Sequence, residues 1–255
     1  MVSVYQSESR STADRPCFFF VHGGGQISGN RHAVLDTVMG YMDGIDVVTV
    51  TVEYRLAPEH PAPAGLNDCF TALTWVANNA AELRIDPSKI IVCGISGGAP
   101  LAASAVIKAR DAGFPNNILA QMLITPMLDD RATSVSARQF HVSQGWSGSM
   151  NNAAWNLALE GRQGEPDVPE MYAPARVADL SGLPAAYIDA GACEVFRDEA
   201  VAYASKLWEC GVNAELHFWP GAYHMFDQIR ANTRVARDSV EVKKRWLKRV
   251  LGVAV

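Results

Sequence analysis

The 255-residue sequence alternates short apolar runs with longer amphipathic segments, and this alternation limits the possible folds. The runs are bounded by Gly, Pro or Asp, which is typical of strands buried on both faces. They cover residues 17–22, 47–52, 90–93, 118–125, 185–189 and 214–219. Helical patterns lie between them, at residues 32–42, 64–83, 98–112, 197–210 and about 235–251. Strands alternating with helices predict an α/β fold with a mostly parallel, doubly wound sheet.

One stretch, residues 132–174, departs from this alternation. It contains Trp146, Met150 and Trp155 among polar residues. We interpret it as a helical insertion that lies over the sheet. The length suits one large α/β domain, so residues 1–255 are predicted to form a single domain with this insertion.

Composition excludes several classes of function. The net charge of −5 gives no basic surface for nucleic acid. The five cysteines are scattered without metal-ligand spacing, which argues against both a disulfide framework and a zinc site. We therefore expect reduced thiols in the cytoplasm. No secretory signal is visible, and no apolar run reaches the roughly 18 residues that span a bilayer.

Ligands of open α/β sheets bind at the carboxyl ends of the strands, so the residues after each strand matter most. The run at residues 90–93 is followed by "GISGG", residues 94–98, and then by a helical pattern. Gly-x-Ser-x-Gly between a strand and a helix is typical of a nucleophile elbow, which exposes the serine hydroxyl. Ser96 is therefore the candidate nucleophile, although a plain Ser/Gly turn would show the same letters.

A serine nucleophile needs a base, and in this fold the order along the chain is Ser, acid, His. His224 lies in "WPGAYHMF", beyond a predicted strand and a Pro-Gly turn, where a loop can carry it over the serine. His217 comes late enough too, but it lies inside the strand. We therefore predict that His224 is the base.

The acid is expected after the strand at residues 185–189, in "YIDAGACEVFRDEA". Asp189 ends the strand, while Asp198 and Glu199 open the next helix, where the helix dipole alone explains negative charge. Glu194 has no such structural explanation. We favour Glu194 as the group that orients the imidazole, and Asp198 stays the alternative.

The motif "HGGG" after the first apolar run also fits acyl transfer. A carbonyl oxygen that gains negative charge needs backbone N–H donors with no side chain in the way. Gly23 and Gly24 can supply two donors, and Gly97, after the nucleophile, can supply a third.

Together, "HGGG", "YRLAPEHPAPAGLND", "GISGG", "DLSGLPAAYIDAGACEVFRDEAVAYASKLWECG" and "WPGAYHMF" resemble the hormone-sensitive-lipase-like, or bacterial type IV, esterases of the α/β-hydrolase superfamily. The resemblance covers about residues 17–227. It implies a carboxylic-ester hydrolase without metal or organic cofactor, with a helical cap and a small-molecule ester substrate. It assigns Ser96, Glu194 and His224 as the catalytic triad and Gly23, Gly24 and Gly97 as the oxyanion hole.

The sequence departs from the family pattern near the site. Ile95 stands where a polar residue is common, Gly97 where Ala is commoner, and Glu194 where Asp is usual. Met225 replaces a common Gly after the histidine. The resemblance makes the insertion at about residues 132–174 a partial cap, and we expect Trp146, Met150 and Trp155 of this cap, together with Met225, to contact substrate.

The sequence also starts late for the family, so we expect the N-terminal part of the cap to be missing. Two outcomes stay open at the sheet edge. "MVSVYQSESR" can fold back as an edge strand, or a homodimer can cover the edge.

The leading hypothesis is a serine carboxylesterase for short- to medium-acyl esters. A lactone, aryl-formamide or secondary-metabolite ester hydrolase would use the same triad. Plant hormone receptors with this fold bind ligands without catalysis, but they have lost the histidine that this sequence keeps at His224.

Overall fold

The computed structural model describes residues 1–7, 13–114, 118–143 and 145–253. Within these residues seven strands form one sheet. The strands are β1 (Val2–Tyr5), β2 (Arg15–Val21), β3 (Val48–Val52), β4 (Ile85–Ile95), β5 (Ala120–Ile124), β6 (Ala185–Gly191) and β7 (Ala214–Trp219). Their order across the sheet is β1-β3-β2-β4-β5-β6-β7. β1 pairs antiparallel with β3, and every other pair is parallel. The predicted α/β fold with a mostly parallel sheet is confirmed.

The helices follow the predicted segments closely, with one break. The segment predicted as one helix over residues 64–83 divides at Asn79, whose side-chain Nδ2 donates to the Trp75 carbonyl at 2.8 Å. The helices are α1 (Leu35–Tyr41), α2 (Ala64–Asn78), α3 (Ala80–Leu83), α4 (Ala99–Asp111), α5 (Val135–Gln139), α6 (Gly148–Ala158), α7 (Arg197–Glu209), α8 (Phe226–Ile229) and α9 (Arg234–Leu251).

Strand β2 shows why the strands are apolar at successive positions. Successive side chains of a strand point to opposite faces of the sheet. Phe18 and Phe20 pack in one core cluster with residues of α1 and α9, whereas Phe19 and Val21 pack in another with residues of α2, α4 and α7. Helices therefore cover both faces of the sheet, and β2 is buried on both sides.

The start of the chain forms an edge strand. Val2 to Tyr5 pair with Val52 to Thr49 of β3, so the edge of β3 is covered within the chain. Of the two outcomes left open by the sequence, the structure has the folded-back strand. Residues 8–10 of the stretch that prompted this question lie outside the described residues.

The order of the strands places a crevice above the middle of the sheet. β2 lies between β3 and β4, and the chain passes from β2 to β3 on one side before it returns to β4 on the other. Such a reversal separates the loops at the carboxyl ends of the two central strands, which is where open α/β sheets bind ligands. Here those loops begin after Val21 and Ile95.

Candidate active site

Ser96 lies at a sharp turn between β4 and α4, with its backbone in the left-handed region at φ 52°. Such a conformation costs a residue other than glycine about 1–3 kcal/mol, so the surroundings must hold it in place. The neighbouring glycines allow this tight packing. A Cβ on Gly94 would lie 2.6 Å from Ala99 Cα, and one on Gly98 would lie 2.2 Å from the His22 carbonyl oxygen. Helix α4 thus begins directly against the ends of β2 and β4, and the turn presents the Ser96 hydroxyl.

His224 reaches the serine from the loop between β7 and α8. Its Nε2 lies 2.9 Å from Ser96 Oγ, and its Nδ1 lies 2.5 Å from Glu194 Oε2. The tautomer that carries its proton on Nδ1 donates to the carboxylate and leaves Nε2 free to accept the serine hydroxyl proton. All three side chains are buried, with exposed fractions of 3% for Ser96, 6% for His224 and 2% for Glu194.

The structure brings Glu194, and not Asp198, to the imidazole. The second carboxylate oxygen of Glu194 accepts the Gly191 N–H at 2.7 Å, which fixes the orientation of the carboxylate. Asp198 pairs with Arg197 at 2.8 Å and accepts the Ser136 N–H at 2.7 Å. Partial burial opposes its ionisation, but these partners hold the pKa of Asp198 below its usual range.

Two other acidic residues of the same segment have structural partners. Asp189 lies 2.6 Å from Lys243 Nζ at the end of β6. Glu199 accepts the Leu128 N–H at 2.6 Å, and complete burial raises the pKa of its carboxyl well above the ordinary range. Neither residue is hydrogen-bonded to His224, whose Nδ1 is paired with Glu194.

The glycine loop after β2 lies against the nucleophile. A Cβ on Gly23 would lie 3.3 Å from Ser96 Cβ, and a Cβ on Gly97 would lie 2.4 Å from the backbone of Gly25. The Gly24 carbonyl accepts the N–H groups of Ile27 and Ser28, which fixes the loop. Gly23 therefore lies against Ser96, and Gly97 packs on the same glycine loop. Gly23 and Gly24 line the cleft beside Ser96.

His22 supports this loop from below. Its ring stacks on Tyr54 with ring centroids 4.2 Å apart, and its Nδ1 lies 2.7 Å from the Gly23 carbonyl oxygen. The Tyr54 hydroxyl donates to the His22 carbonyl at 2.8 Å. Burial lowers the pKa of His22, which favours a neutral ring beneath the glycines.

A cleft of about 290 Å³ opens over Ser96 and His224. Three of the residues expected to contact substrate line it, namely Trp146, Met150 and Met225. Trp155 does not. It is completely buried in a cluster with Met127, Val195 and Phe196. Trp155 therefore packs beneath the insertion, and the expectation that it contacts substrate is wrong. The remaining lining residues are Gly23, Gly24, Gly29, Ala33, Val34, Ser96, Gly145, His224 and Ile229.

The stretch at residues 132–174 contains α5, α6 and a short 3-10 turn at Glu170–Tyr172, and a second turn, Pro174–Arg176, begins at its end. Residue 144 within it lies outside the described residues. Both helices begin at a serine that caps them, because the side chains of Ser134 and Ser147 accept the N–H groups of Ala137 and Met150. Helix α6 carries Met150 on the cleft side and the buried Trp155 on the other.

A buried ion pair closes the base of this stretch. Arg176 Nε and Nη2 donate to the two carboxylate oxygens of Asp130 at 2.6 and 2.8 Å. Asp130 also accepts the Gly164 N–H at 2.9 Å and is completely buried. Residues just before and just after residues 132–174 are thereby held side by side.

Comparison with known proteins agrees with this geometry. Residues 18–228 match a family model described as alpha/beta hydrolase fold. The chain belongs to that family. The predicted hormone-sensitive-lipase-like membership is confirmed by its relatives.

Carboxylesterase NlhH of Mycobacterium tuberculosis is 33% identical over 238 residues, which are 92% of this hydrolase and 74% of NlhH. The arylesterase of Saccharolobus solfataricus is 31% identical over 216 residues, 82% of this chain and 69% of that enzyme. Among solved structures, a bacterial heroin esterase superposes with a TM-score of 0.93 at 33% identity, covering 98% of this chain and 79% of that one.

Several features of this α/β hydrolase were missed from the sequence. Val34 and Ile229 line the cleft, although neither belongs to a motif. Ile229 is 57% exposed in the structure. The one signal in the sequence was an apolar residue soon after the histidine motif. Phe196, in contact with the His224 ring at 5.2 Å between centroids, was hidden within an apolar pattern that suits a core position equally well.

Among the described residues, no helix is both long and apolar enough to cross a membrane. No group of three or more His, Cys, Asp or Glu side chains in the same residues is arranged to hold a metal ion.

Proposed function

We propose that this chain is a serine carboxylesterase that hydrolyses short- to medium-acyl esters through an acyl-enzyme. The observation that carries the proposal is the continuous pair of contacts from Ser96 Oγ to His224 Nε2 at 2.9 Å and from His224 Nδ1 to Glu194 Oε2 at 2.5 Å. A nucleophile, a base and an orienting acid in this geometry perform acyl transfer on unrelated folds as well. The carboxylesterase and arylesterase relatives support the same chemistry.

In the first half of the reaction, Ser96 Oγ attacks the ester carbonyl carbon while its proton passes to His224 Nε2. Glu194 accepts the Nδ1–H bond and stabilises the imidazolium. The N–H groups of Gly23, Gly24 and Gly97 donate to the oxyanion of the tetrahedral intermediate, where preorganised donors lower the barrier most. The imidazolium then protonates the departing alcohol oxygen, the carbon–oxygen bond breaks, and the acyl group stays on Ser96.

In the second half, water replaces the alcohol. His224 Nε2 takes a proton from the water, whose oxygen attacks the acyl carbon over the same oxyanion donors. When this intermediate collapses, the carboxylic acid leaves and the proton on His224 returns to Ser96 Oγ. These steps use only side chains and backbone groups of the chain.

The cleft supports neutral, apolar esters as substrates. Apart from His224, its lining in the described residues carries no ionisable side chain, and Val34, Trp146, Met150, Met225 and Ile229 make most of its wall apolar. A charged substituent on either side of the ester would be desolvated there without a partner, which is unfavourable. The volume of about 290 Å³ suits a short or medium acyl chain better than a long one.

The cap and the cellular context complete the proposal. Residues 132–174 form the cap and provide Trp146 and Met150 to the cleft. A cytoplasmic location agrees with the five free cysteines, of which Cys17, Cys69 and Cys93 are buried. A homodimer stays a prediction, which sedimentation of the purified chain would test.

The test combines covalent labelling with a panel of substrates. An alkyl phosphonate probe should label Ser96, as identified by peptide mass spectrometry, and esters of rising acyl length should be cleaved faster than a lactone or an aryl formamide. Ser96→Ala should abolish both labelling and hydrolysis. Ser104→Ala, which changes a buried serine on α4, is the matched control and should retain both. An adduct on any other serine would contradict the assignment, and preferential cleavage of the lactone or formamide would change the substrate class.

A further inference from the structure

The C-terminal helix α9 carries a lysine inside the protein. Lys243 is completely buried, and Trp246 and Leu247 of the same helix belong to the apolar cluster beneath it. An ammonium group is costly to bury unless charged and hydrogen-bonding partners surround it. A Met or Leu would fill the same space without this cost, so the charge requires its own explanation.

The acidic partners of Lys243 come from two different elements, Asp189 from β6 and Asp227 from α8. Its Nζ lies 2.6 Å from Asp189 Oδ2 and 3.2 Å from Asp227 Oδ2, and both carboxylates are buried. Further donors complete the group: Trp219 Nε1 at 3.0 Å and the Tyr187 hydroxyl at 3.3 Å donate to Asp189, and the Tyr41 hydroxyl at 3.1 Å donates to Asp227. We call these six residues the Lys243 cluster.

The Lys243 cluster contains one more acidic side chain than basic side chains. One ammonium faces two carboxylates, so the ionised cluster carries an excess negative charge in the interior. Neutralising one carboxylate would leave an even pair, and a buried ion pair is itself no more stabilising than well-packed neutral side chains. The second carboxylate therefore calls for an explanation other than stability.

The position of the two carboxylates supplies one. Asp189 stands two residues before Gly191, whose N–H holds Glu194, and Asp227 stands three residues after His224. Lys243 therefore links β6, which leads into the acid loop (residues 192–196, with Glu194), to α8, which follows the histidine loop (residues 220–225, with His224). The two loops also touch directly, because Cys193 N–H donates to the Ala222 carbonyl at 2.8 Å.

We propose that Lys243 is a positioning residue for ester hydrolysis: through Asp189 and Asp227 it holds the acid loop and the histidine loop in the register that keeps His224 Nδ1 2.5 Å from Glu194 Oε2. This inference rests on the proposed function. Lys243 touches neither substrate nor reacting atoms. Its effect is on orientation, where a displacement of about 1 Å can cost about 100-fold in rate.

The decisive variant is Asp227→Asn. It leaves Lys243 paired with Asp189 and removes the excess charge, so the protein should fold and its Tm should not fall. If the cluster positions the histidine, kcat should fall about 10- to 100-fold while KM changes less than about twofold, because the lost interaction does not bind substrate. Lys243→Met should lower kcat at least as much. The matched control is Lys244→Met, at a more exposed lysine one residue further along α9, which should keep the wild-type kcat.

A second measurement is independent of turnover. The proton between His224 Nδ1 and Glu194 should give a downfield proton NMR resonance, which should shift or broaden in Asp227→Asn and stay unchanged in Lys244→Met. A folded Asp227→Asn variant with wild-type kcat and an unchanged resonance would overturn the inference, also if Lys243→Met does not fold. If the wild-type chain neither hydrolyses esters nor reacts with the phosphonate at Ser96, the proposed function fails instead, and the resonance still reports whether the cluster holds the histidine.

Discussion

Asp198 and Ser136 exchange hydrogen bonds between the first helical turn of α7 and the start of α5. The Ser136 N–H donates to Asp198 Oδ2 at 2.7 Å, and the Asp198 N–H donates to Ser136 Oγ at 3.2 Å. Ser136 Oγ in turn donates to the Val195 carbonyl at 2.8 Å, next to Glu194. Ser136 thus fastens the insertion to Asp198 of α7 and to the acid loop, while Glu194 faces the imidazole.

Glu194→Gln and Asp198→Asn should therefore have very different effects. Neutralising Glu194 should lower kcat by something like the ~10⁴-fold seen when a triad carboxylate is neutralised, with the fold retained. Asp198→Asn should change kcat less than about tenfold, because Asp198 holds the start of α5 and takes no part in the proton transfer. Steady-state kinetics on one short-chain ester would measure both. The opposite ranking would transfer the role of the acid to Asp198.

Met225 offers a way to widen the cleft without moving the histidine. Its φ of 61° lies in the left-handed region, which glycine adopts without strain, and its side chain lines the cleft. Met225→Gly should relieve the backbone and enlarge the cleft, so kcat/KM for bulky esters should rise about tenfold, while small esters change little. Met225→Ala is the control, since it removes the side chain but keeps the strain. A fall in activity on all esters would show that Met225 fixes the histidine loop.

The open side of the cleft should determine the choice of alcohol group. Met150 and Ile229 line the cleft and yet are 46% and 57% exposed, so that side is in contact with water. Incomplete exclusion of water weakens the stabilisation of the oxyanion, so we expect a modest kcat and a tolerance of bulky alcohols. The measurement is kcat/KM for esters of one acyl chain with small and bulky alcohols. A steep loss with the bulky alcohols would mean that the cap closes over the bound substrate.

Glu199 should make stability depend on pH. Burial raises the pKa of its carboxyl well above 4.5 in the folded protein. Between 4.5 and that higher value the folded state holds the proton more tightly than the unfolded chain, so the free energy of unfolding falls as pH rises. Each unit of elevation corresponds to about 1.4 kcal/mol. The contribution is complete below pH 4.5 and is lost as pH rises through the folded-state pKa.

Glu199→Gln should remove this dependence. Urea unfolding between about pH 4 and pH 8 should show the wild-type chain losing stability relative to the Gln variant as pH rises. Glu82→Gln, at an exposed glutamate of α3, is the matched control and should follow the wild-type curve. Parallel curves for wild type and Glu199→Gln would contradict the prediction.

The sequence was informative where local chemistry decides the structure. Three successive phenylalanines, Phe18 to Phe20, predict a strand that is buried on both faces, as the structure has it. Gly94 and Gly98 mark the place where a helix starts against two strands, because a side chain would not fit there. Ser96 and His224 could be named because their motifs include the turns that position them. Each of these features depends on residues close together in the sequence.

What the sequence left open depends on contacts between distant residues. The Gly191 N–H orients Glu194 towards His224, and the Ser136 N–H holds Asp198 away from it. Ser136 lies 62 residues before Asp198, so no local sequence pattern could show this difference. Trp155 and Met150 lie on one short helix, and only the packing of that helix decides which of them reaches the cleft. Lysine is common on the surface of a helix, so nothing in the sequence indicated that Lys243 is buried. Its burial follows from the packing of α9 on the sheet.

The pair between Asp130 and Arg176 joins two points of the chain that are 46 residues apart. The residues between Asp130 and Arg176 leave the sheet and return next to their starting point, because the ion pair fixes both ends of the segment. Doubling the length of such a loop costs only about 0.6 kcal/mol of closure entropy. Loop closure therefore adds little cost when this segment changes length, and changes in its exposed part, away from the buried Trp155, can bring new substrates to the same reacting groups.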